Sequence, residues 1–263
     1  MLRRWFMASV LIATGAVWAF PTALNTNPAN AAKVIVLSAV AVKSALDEFA
    51  ANFDRTTGDK LTISYATAGE VIRRIRGGES ADVTILPKPR MDELVKEGKI
   101  LPGSTANFAS AAVGLVVHAG APKPDISSPD ALKRSLLAAK SISYADPAKG
   151  GVSGTHFAGV LERLGIADEM KAKTKLVPGP EAPDLAARGE VEIAVTMVPE
   201  ILPVPGVDLV GPLPQELQNK TDFAYVAGIL AGTKQPAAGK ASIQFISGPA
   251  AANVIKSKGL DPG

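Results

Sequence analysis

The 263-residue chain has no cysteine and only two histidines, His118 and His156. Disulfide bonds, a thiolate nucleophile and a cysteine-ligated metal are therefore excluded, and a multi-histidine metal centre is not expected. Aromatic residues make up only 5% of the chain, and no Asp or Glu occurs before Asp47. The G-x-G-x-x-G and G-x-x-x-x-G-K-[ST] patterns of nucleotide sites are missing, as are the G-x-S-x-G and H-E-x-x-H patterns of hydrolases. The carboxylate pairs Asp92-Glu93 and Asp168-Glu169 fall on polar helix faces and read as solvated charge. Neither catalysis nor a cofactor is expected from these residues.

What is present is a patterned, apolar chain: 47% hydrophobic and 20% charged, enough for one or two domains with real cores. The pI of about 9.0 misleads. Arg3 and Arg4 lie at the extreme N-terminus, and beyond residue 31 the chain carries 26 basic against 25 acidic residues. That balance gives no basic surface for nucleic acid.

The first 31 residues read as an address. Arg3 and Arg4 precede an uncharged apolar run, Trp5 to Phe20, then a small polar stretch ending in Ala29-Asn30-Ala31. This is a signal-peptide pattern, with cleavage expected after Ala31 or Ala32. A retained anchor is the alternative, but the run is short for spanning. Arg3-Arg4-Trp5-Phe6-Met7 is also similar to a twin-arginine signal, so the export route stays open.

Beyond the leader, strand and helix signals alternate. Lys33 to Ser38, Leu61 to Tyr65 and Asp82 to Leu86 read as strands. Lys43 to Thr57, Gly69 to Ile75 and Arg90 to Glu97 read as helices with glycine stops. A long apolar strand is expected over Ala109 to His118. A second series then runs through helices at 129–139, 153–164 and 182–188 and strands at 141–144, 175–177 and 191–196. Pro203 to Pro214 is rich in proline and glycine, Thr221 to Leu230 reads as a strand, and helices near 236–246 and 249–258 close the chain. The pattern predicts an α/β protein of two lobes, each a mostly parallel sheet flanked by helices, with a cleft between them.

Open α/β sheets bind ligands beyond the carboxyl ends of their strands, and helix starts favour anions. Four junctions have the small residues this needs: Ser38-Ala39-Val40-Ala41, Thr67-Ala68-Gly69, Gly150 to Thr155, and Thr196 to Glu200. Ser and Thr at such positions equally serve as ordinary helix caps. Arg73 and Arg74, one turn into the second helix, are candidates to fold back onto an organic carboxylate. His156 is placed either at the cleft or on the surface.

These blocks, in their order and spacing, resemble the periplasmic solute-binding proteins of ABC importers, especially the molybdate-binding family of the type II fold. The resemblance rests on Val34 to Ser38 leading to Leu46-Asp47-Glu48-Phe49, and on Ala68-Gly69 through Arg73-Arg74-Ile75 to Ala81-Asp82-Val83. It continues through Asp146-Pro147, Ser153-Gly154, Phe157 to Gly165, Gly189 to Val195 and Gly248 to Ala251. It implies that residues 32–112 and 222–263 form one lobe and 113–221 the other, with residues 1–31 as leader. It further implies a monomeric periplasmic receptor that hands a small anion to a permease. Of the family's oxyanion ligands, the serine before the first helix falls at Ala41, the second-junction serines at Thr67-Ala68-Gly69, the backbone donor at Ser153, and the tyrosine at Met197. The hydroxyl shell is thinned, which leaves a molybdate-like oxyanion and a small organic carboxylate both open. The expected binding set is Ser38, Ala39, Val40, Ala41, Thr67, Ala68, Gly69, Arg73, Arg74, Ser153, Gly154, Thr155 and Met197. A sensor of the same fold for a membrane signalling partner is the alternative function; an exported enzyme is less favoured.

Overall fold

The computed structural model describes residues 31–219 and 221–263. Residues 1–30 of the expected leader, 1–31, lie outside the described residues. Eleven strands among those described fall into two sheets. The first combines β1 (Lys33–Ala39), β2 (Lys60–Ala66), β3 (Val83–Pro87) and β4 (Ala106–Ser110) with the late strands β10 (Ala224–Ile229) and β11 (Asp261–Pro262). Its order is β11-β4-β10-β3-β1-β2. The second holds β5 (Val113–His118), β6 (Ile142–Ala145), β7 (Thr174–Val177), β8 (Ile193–Met197) and β9 (Val207–Pro212), in the order β7-β6-β8-β5-β9.

Helices α1 (Lys43–Thr57), α2 (Ala68–Arg76) and α3 (Lys88–Lys96) follow the first three strands. Lobe two carries α4 (Pro129–Ala138), α5 (Val152–Arg163), α6 (Ala167–Lys171), α7 (Ala182–Ala187) and α8 (Val198–Ile201). Then α9 (Pro236–Ser247) and α10 (Ala252–Ser257) close the chain. The architecture is thus two α/β lobes, and no described helix is long and apolar enough to cross a membrane.

Both sheets are mixed rather than mostly parallel. The β-α-β units are parallel, as their alternation requires: β1 with β2 and β3, β6 with β7 and β8. The strands next to the lobe crossings run the other way: β10 against β3 and β4, β5 against β8 and β9. A strand arriving from the other lobe enters the sheet without a helical crossover, so it can pair antiparallel.

The expected long strand at 109–118 is two strands. Ala111 and Ala112 step from β4 to β5 and so from one sheet to the other. The proline-rich stretch 203–214 contains β9, an edge strand, where proline is tolerated. At the crossing, the Ala111 N–H donates to Phe223 O (3.0 Å). The Gln218 side chain donates to Val113 O (2.7 Å) and accepts from Val113 N (3.1 Å), tying the two connections together.

The inner face of α1 buries Ala45, Leu46, Phe49 and Phe53. Phe49 meets Phe108 and Phe245 edge-on, and Phe53 meets Phe245 at 5.2 Å between ring centres. Phe245 lies on α9, so this aromatic cluster fastens the C-terminal segment to the first lobe. Such a side chain contributes roughly 1.5–3 kcal/mol on burial. Buried Asp82 adds a polar tie: its carboxylate accepts from Ile35 N (2.8 Å) and from Thr233 Oγ1 (2.5 Å).

Candidate functional site

The carboxyl ends of β1, β2, β6 and β8 converge between the lobes on a cavity of about 30 Å³. That is room for about two water-sized spheres, a compact group such as one carboxylate or a tetrahedral oxyanion. Lobe one supplies Ala39, Val40, Ala41, Thr67, Ala68 and Tyr225; lobe two supplies Ala145, Gly151, Val152, Ser153, Gly179, Pro180, Met197 and Glu200.

Two helix starts face each other here. In α5 the first intrahelical bond is Thr155 N to Gly151 O (3.1 Å), which leaves the N–H groups of Val152, Ser153 and Gly154 ahead of it. In α2 the Thr67 side chain caps Glu70 N (3.3 Å), and its hydroxyl donates across the cleft to Lys149 O (3.1 Å). Beside it the Gly69 N–H donates to Gly150 O (3.3 Å). A Cβ on Gly69 would sit 3.0 Å from the Gly150 Cα, so the two backbones meet only because both residues are glycine. Gly150 also needs its glycine for φ +78. The lobes are in contact at the mouth of the cavity.

Besides Thr67 and Ser153, the cavity wall holds two polar side chains that come from outside the two facing helix starts, Glu200 and Tyr225. Glu200 belongs to the first turn of α8, where its Oε2 accepts from Met197 N (3.3 Å) and from the Thr196 hydroxyl. It is half-buried, and it lines both this cavity and a neighbouring one of about 290 Å³ that runs between α1 and α7. Desolvation of the carboxyl pushes its pKa up to about 7, against the pull of its Thr196 and Met197 hydrogen bonds. Tyr225 on β10 is 1% exposed, and among the described residues its hydroxyl has no hydrogen-bond partner. Burial, with Glu200 nearby, raises its pKa far above the usual phenol range.

Of the thirteen expected binding residues, Ala39, Val40, Ala41, Thr67, Ala68, Ser153 and Met197 line the cavity. Six do not. The Ser38 hydroxyl is buried inside the sheet and donates to Ala39 O (3.0 Å). Gly69 forms the lobe contact. Gly154 packs on β6, where a Cβ would come within 1.8 Å of Ala145 O. Thr155 turns to a larger groove. Arg73 and Arg74 point away: α2 buries Val71, Ile72 and Ile75, so the arginines between them occupy its outer face. Arg73 pairs with Glu70 (2.6 Å), and Arg74 with Glu79 and with the Ser64 hydroxyl (3.0 Å).

The groove that takes Thr155 is larger, about 640 Å³, between α3, α5 and the 217–223 crossing. His156 lines it, its Nε2 bonded to Leu217 O (2.7 Å), with burial lowering its pKa. The groove's charges balance, Arg90 and Arg163 against Glu93 and Asp222, with Arg90 and Glu93 paired at 2.8 Å, and Val152 of α5 lines it as well as the small cavity while Ser153 lines the small cavity. The charge logic of an anion site therefore belongs to the small cavity. Sequence reasoning missed Glu200 and Tyr225. Glu200 lay inside the fourth junction, and its place three residues after the N-cap was the signal available; Tyr225 gave none, because only the return of β10 beside β3 brings it to the cleft.

Among the described residues no group of three His, Cys, Asp or Glu side chains is placed to hold a metal ion. Residues 34–261 match the family model described as bacterial extracellular solute-binding protein. The chain is 31% identical over 233 residues to a Pseudomonas sp. protein named aconitate isomerase, covering 86% of this chain and 87% of that one. It is 28% identical over 246 residues to the molybdate-binding protein of Azotobacter vinelandii, covering 88% and 90%. The sulfate-binding protein of Mycobacterium tuberculosis shares the fold, with a TM-score of 0.72 at 19% identity over 88% of this chain and 87% of that one. With a family match spanning both lobes and relatives of nearly equal length, the chain belongs to the bacterial extracellular solute-binding proteins.

Proposed function

We propose that the protein captures a small organic carboxylate outside the cytoplasm by closing its lobes over it, and presents the closed form to an ABC importer. The observation that carries this reading is the cavity held between the first turn of α5 and the Thr67–Ala68 start of α2. Helix starts each carry about half a positive charge, which suits an anion in a chain without a matching lysine at the site. The leader-like residues 1–31 support periplasmic export, and sheet membership supports lobe boundaries near 112/113 and 221/222. The working form is a monomer.

A carboxylate is favoured over a tetrahedral oxyanion by Glu200. Val40, Pro180 and Glu200 line both the 30 Å³ cavity and the 290 Å³ one, so a ligand with one carboxylate in the first has the second beside it for the rest of its carbon chain once these side chains give way. A compact oxyanion uses only the first. The relative named aconitate isomerase supports an unsaturated polycarboxylate of that kind. Calorimetric titration with cis- and trans-aconitate and with molybdate tests the reading. Binding of either aconitate at micromolar Kd is expected; binding of molybdate alone would overturn the choice of ligand, and binding of none of them would overturn the anion site.

A further inference from the structure

The cleft holds two groups that anion capture alone does not use, a carboxylate and an orphaned phenol, and both residues line the small cavity. We propose that the site also moves a proton: Glu200 shifts a carbon-bound hydrogen of an unsaturated organic carboxylate from one carbon to another while Tyr225 holds the charged oxygen, so that the double bond migrates. This rests on the organic-carboxylate reading of the site given above.

The geometry of Glu200 supports a base. Its Oε2 is engaged by the Thr196 hydroxyl and Met197 N, which fix the carboxyl group. Its Oε1 has no hydrogen bond from a described residue. Glu200 lines both cavities, so it stands beside the carbon chain of a ligand that is anchored at the helix starts and reaches toward the larger one. A carboxyl whose desolvation brings it to about 7 is basic enough to accept a proton and acidic enough to return it near neutral pH.

Tyr225 supplies the complementary function. A buried hydroxyl without a partner is destabilising, and a ligand oxygen accepting from it offsets that penalty. Its raised pKa keeps it protonated beside Glu200, so it acts as a hydrogen-bond donor and not as a proton source. Removing a proton next to a conjugated carboxylate places negative charge on the carboxylate oxygens. The Tyr225 hydroxyl and the N–H groups of Val152 and Ser153 surround that position.

The step balances without a co-reactant. Glu200 Oε1 takes the proton from the saturated carbon beside the double bond. The C–H electron pair becomes a new C=C bond, and the old double-bond pair moves toward the far carbon and its carboxylate. Glu200 then returns the same proton to that far carbon. Nothing is oxidised or reduced, and substrate and product are isomers.

The groups facing Glu200 set the pH range of the reaction. Thr196 and Met197 come from β8 and Tyr225 from β10, while Glu181 precedes α7. Asp184 of α7 and Lys43 and Asp47 of α1 lie across the larger cavity. Glu181 raises the Glu200 pKa further, and the rate is expected to rise with pH through about 7 as the base ionises.

The test uses the protein from residue 32 onward with cis- and trans-aconitate, followed by proton NMR and, in parallel, by calorimetry. The parent should interconvert the two isomers. Glu200→Gln should bind within a few fold but convert about a hundredfold more slowly or worse. Tyr225→Phe should slow conversion and keep the pH profile, since it leaves the base in place. Binding without interconversion by the parent would overturn proton transfer and leave capture standing. Absence of aconitate binding would overturn the carboxylate reading with it. Full activity in Glu200→Gln would show that the base is elsewhere.

Discussion

Glu200 is the residue on which chemistry and stability meet. Its pKa is held at about 7 against an ordinary 4.5, so between those values the folded protein binds more protons than the unfolded chain. Stability contributed by the neutral acid is therefore present at low pH and is lost as pH rises from about 4.5 through 7. Glu200→Gln removes that slope. We expect urea unfolding at pH 8 to show the variant more stable than the parent by at most about 3 kcal/mol, and at pH 4 to show no gain. An anion beside Glu200 favours its protonated form, so affinity should also rise as pH falls. Gly69 makes a second residue-scale test, because Gly69→Ala places a methyl 3.0 Å from the Gly150 Cα only when the lobes touch. Calorimetry should find ligand binding weakened tenfold or more, about 1.4 kcal/mol, with the melting temperature of the ligand-free protein little changed.

At the scale of elements, the sequence was legible where a local period decided the outcome. The apolar spacing of Leu46, Phe49 and Phe53 and the stop at Gly58 marked α1 at both its ends. It was illegible where two elements share one apolar run, as at Phe108 to Val117. Both strands there are buried, and only the change of sheet at Ala111 separates them. The arginines of α2 show the other limit. Their helix was read, but its inner face is set by Val71, Ile72 and Ile75, and that turns Arg73 to solvent and Glu70 and lays the partly covered Arg74 against Glu79 and Ser64. Arg73→Ala and Arg74→Ala should leave affinity within about twofold, since exposed pairs contribute no more than about 1 kcal/mol even to stability. Ser153→Pro should behave differently. It lies in the first turn of α5, where proline is tolerated, yet it removes an N–H aimed at the cavity. A charge-assisted bond of about 1.5–3 kcal/mol is lost, so titration should show binding weakened by roughly 10- to 150-fold with the fold retained.

At the scale of the molecule, two lobes are joined by two connections, and the small cavity is lined from both lobes; in the proposed function the connections act as a hinge. The first-lobe half, at Thr67 and Ala68, and the second-lobe half, at Val152 and Ser153, are each too shallow to enclose an anion. The hydrogen bonds to Lys149 O and Gly150 O join the lobes in this arrangement, which the proposed function takes as the closed one. A ligand that binds only this state stabilises it by mass action, by about 2.7 kcal/mol at a hundred times its Kd. That the lobes alternate was readable from the order of elements. That the chain beyond residue 222 returns to the first lobe was implied by the family resemblance alone, and that this brings Tyr225 to the cleft was not readable at all, because strand pairing across more than a hundred residues leaves no local pattern. The most direct measurement of the central claim is small-angle X-ray scattering of the protein from residue 32 onward with and without saturating aconitate. Closure over the ligand predicts a smaller radius of gyration in the saturated protein, and an unchanged radius at full saturation would contradict it.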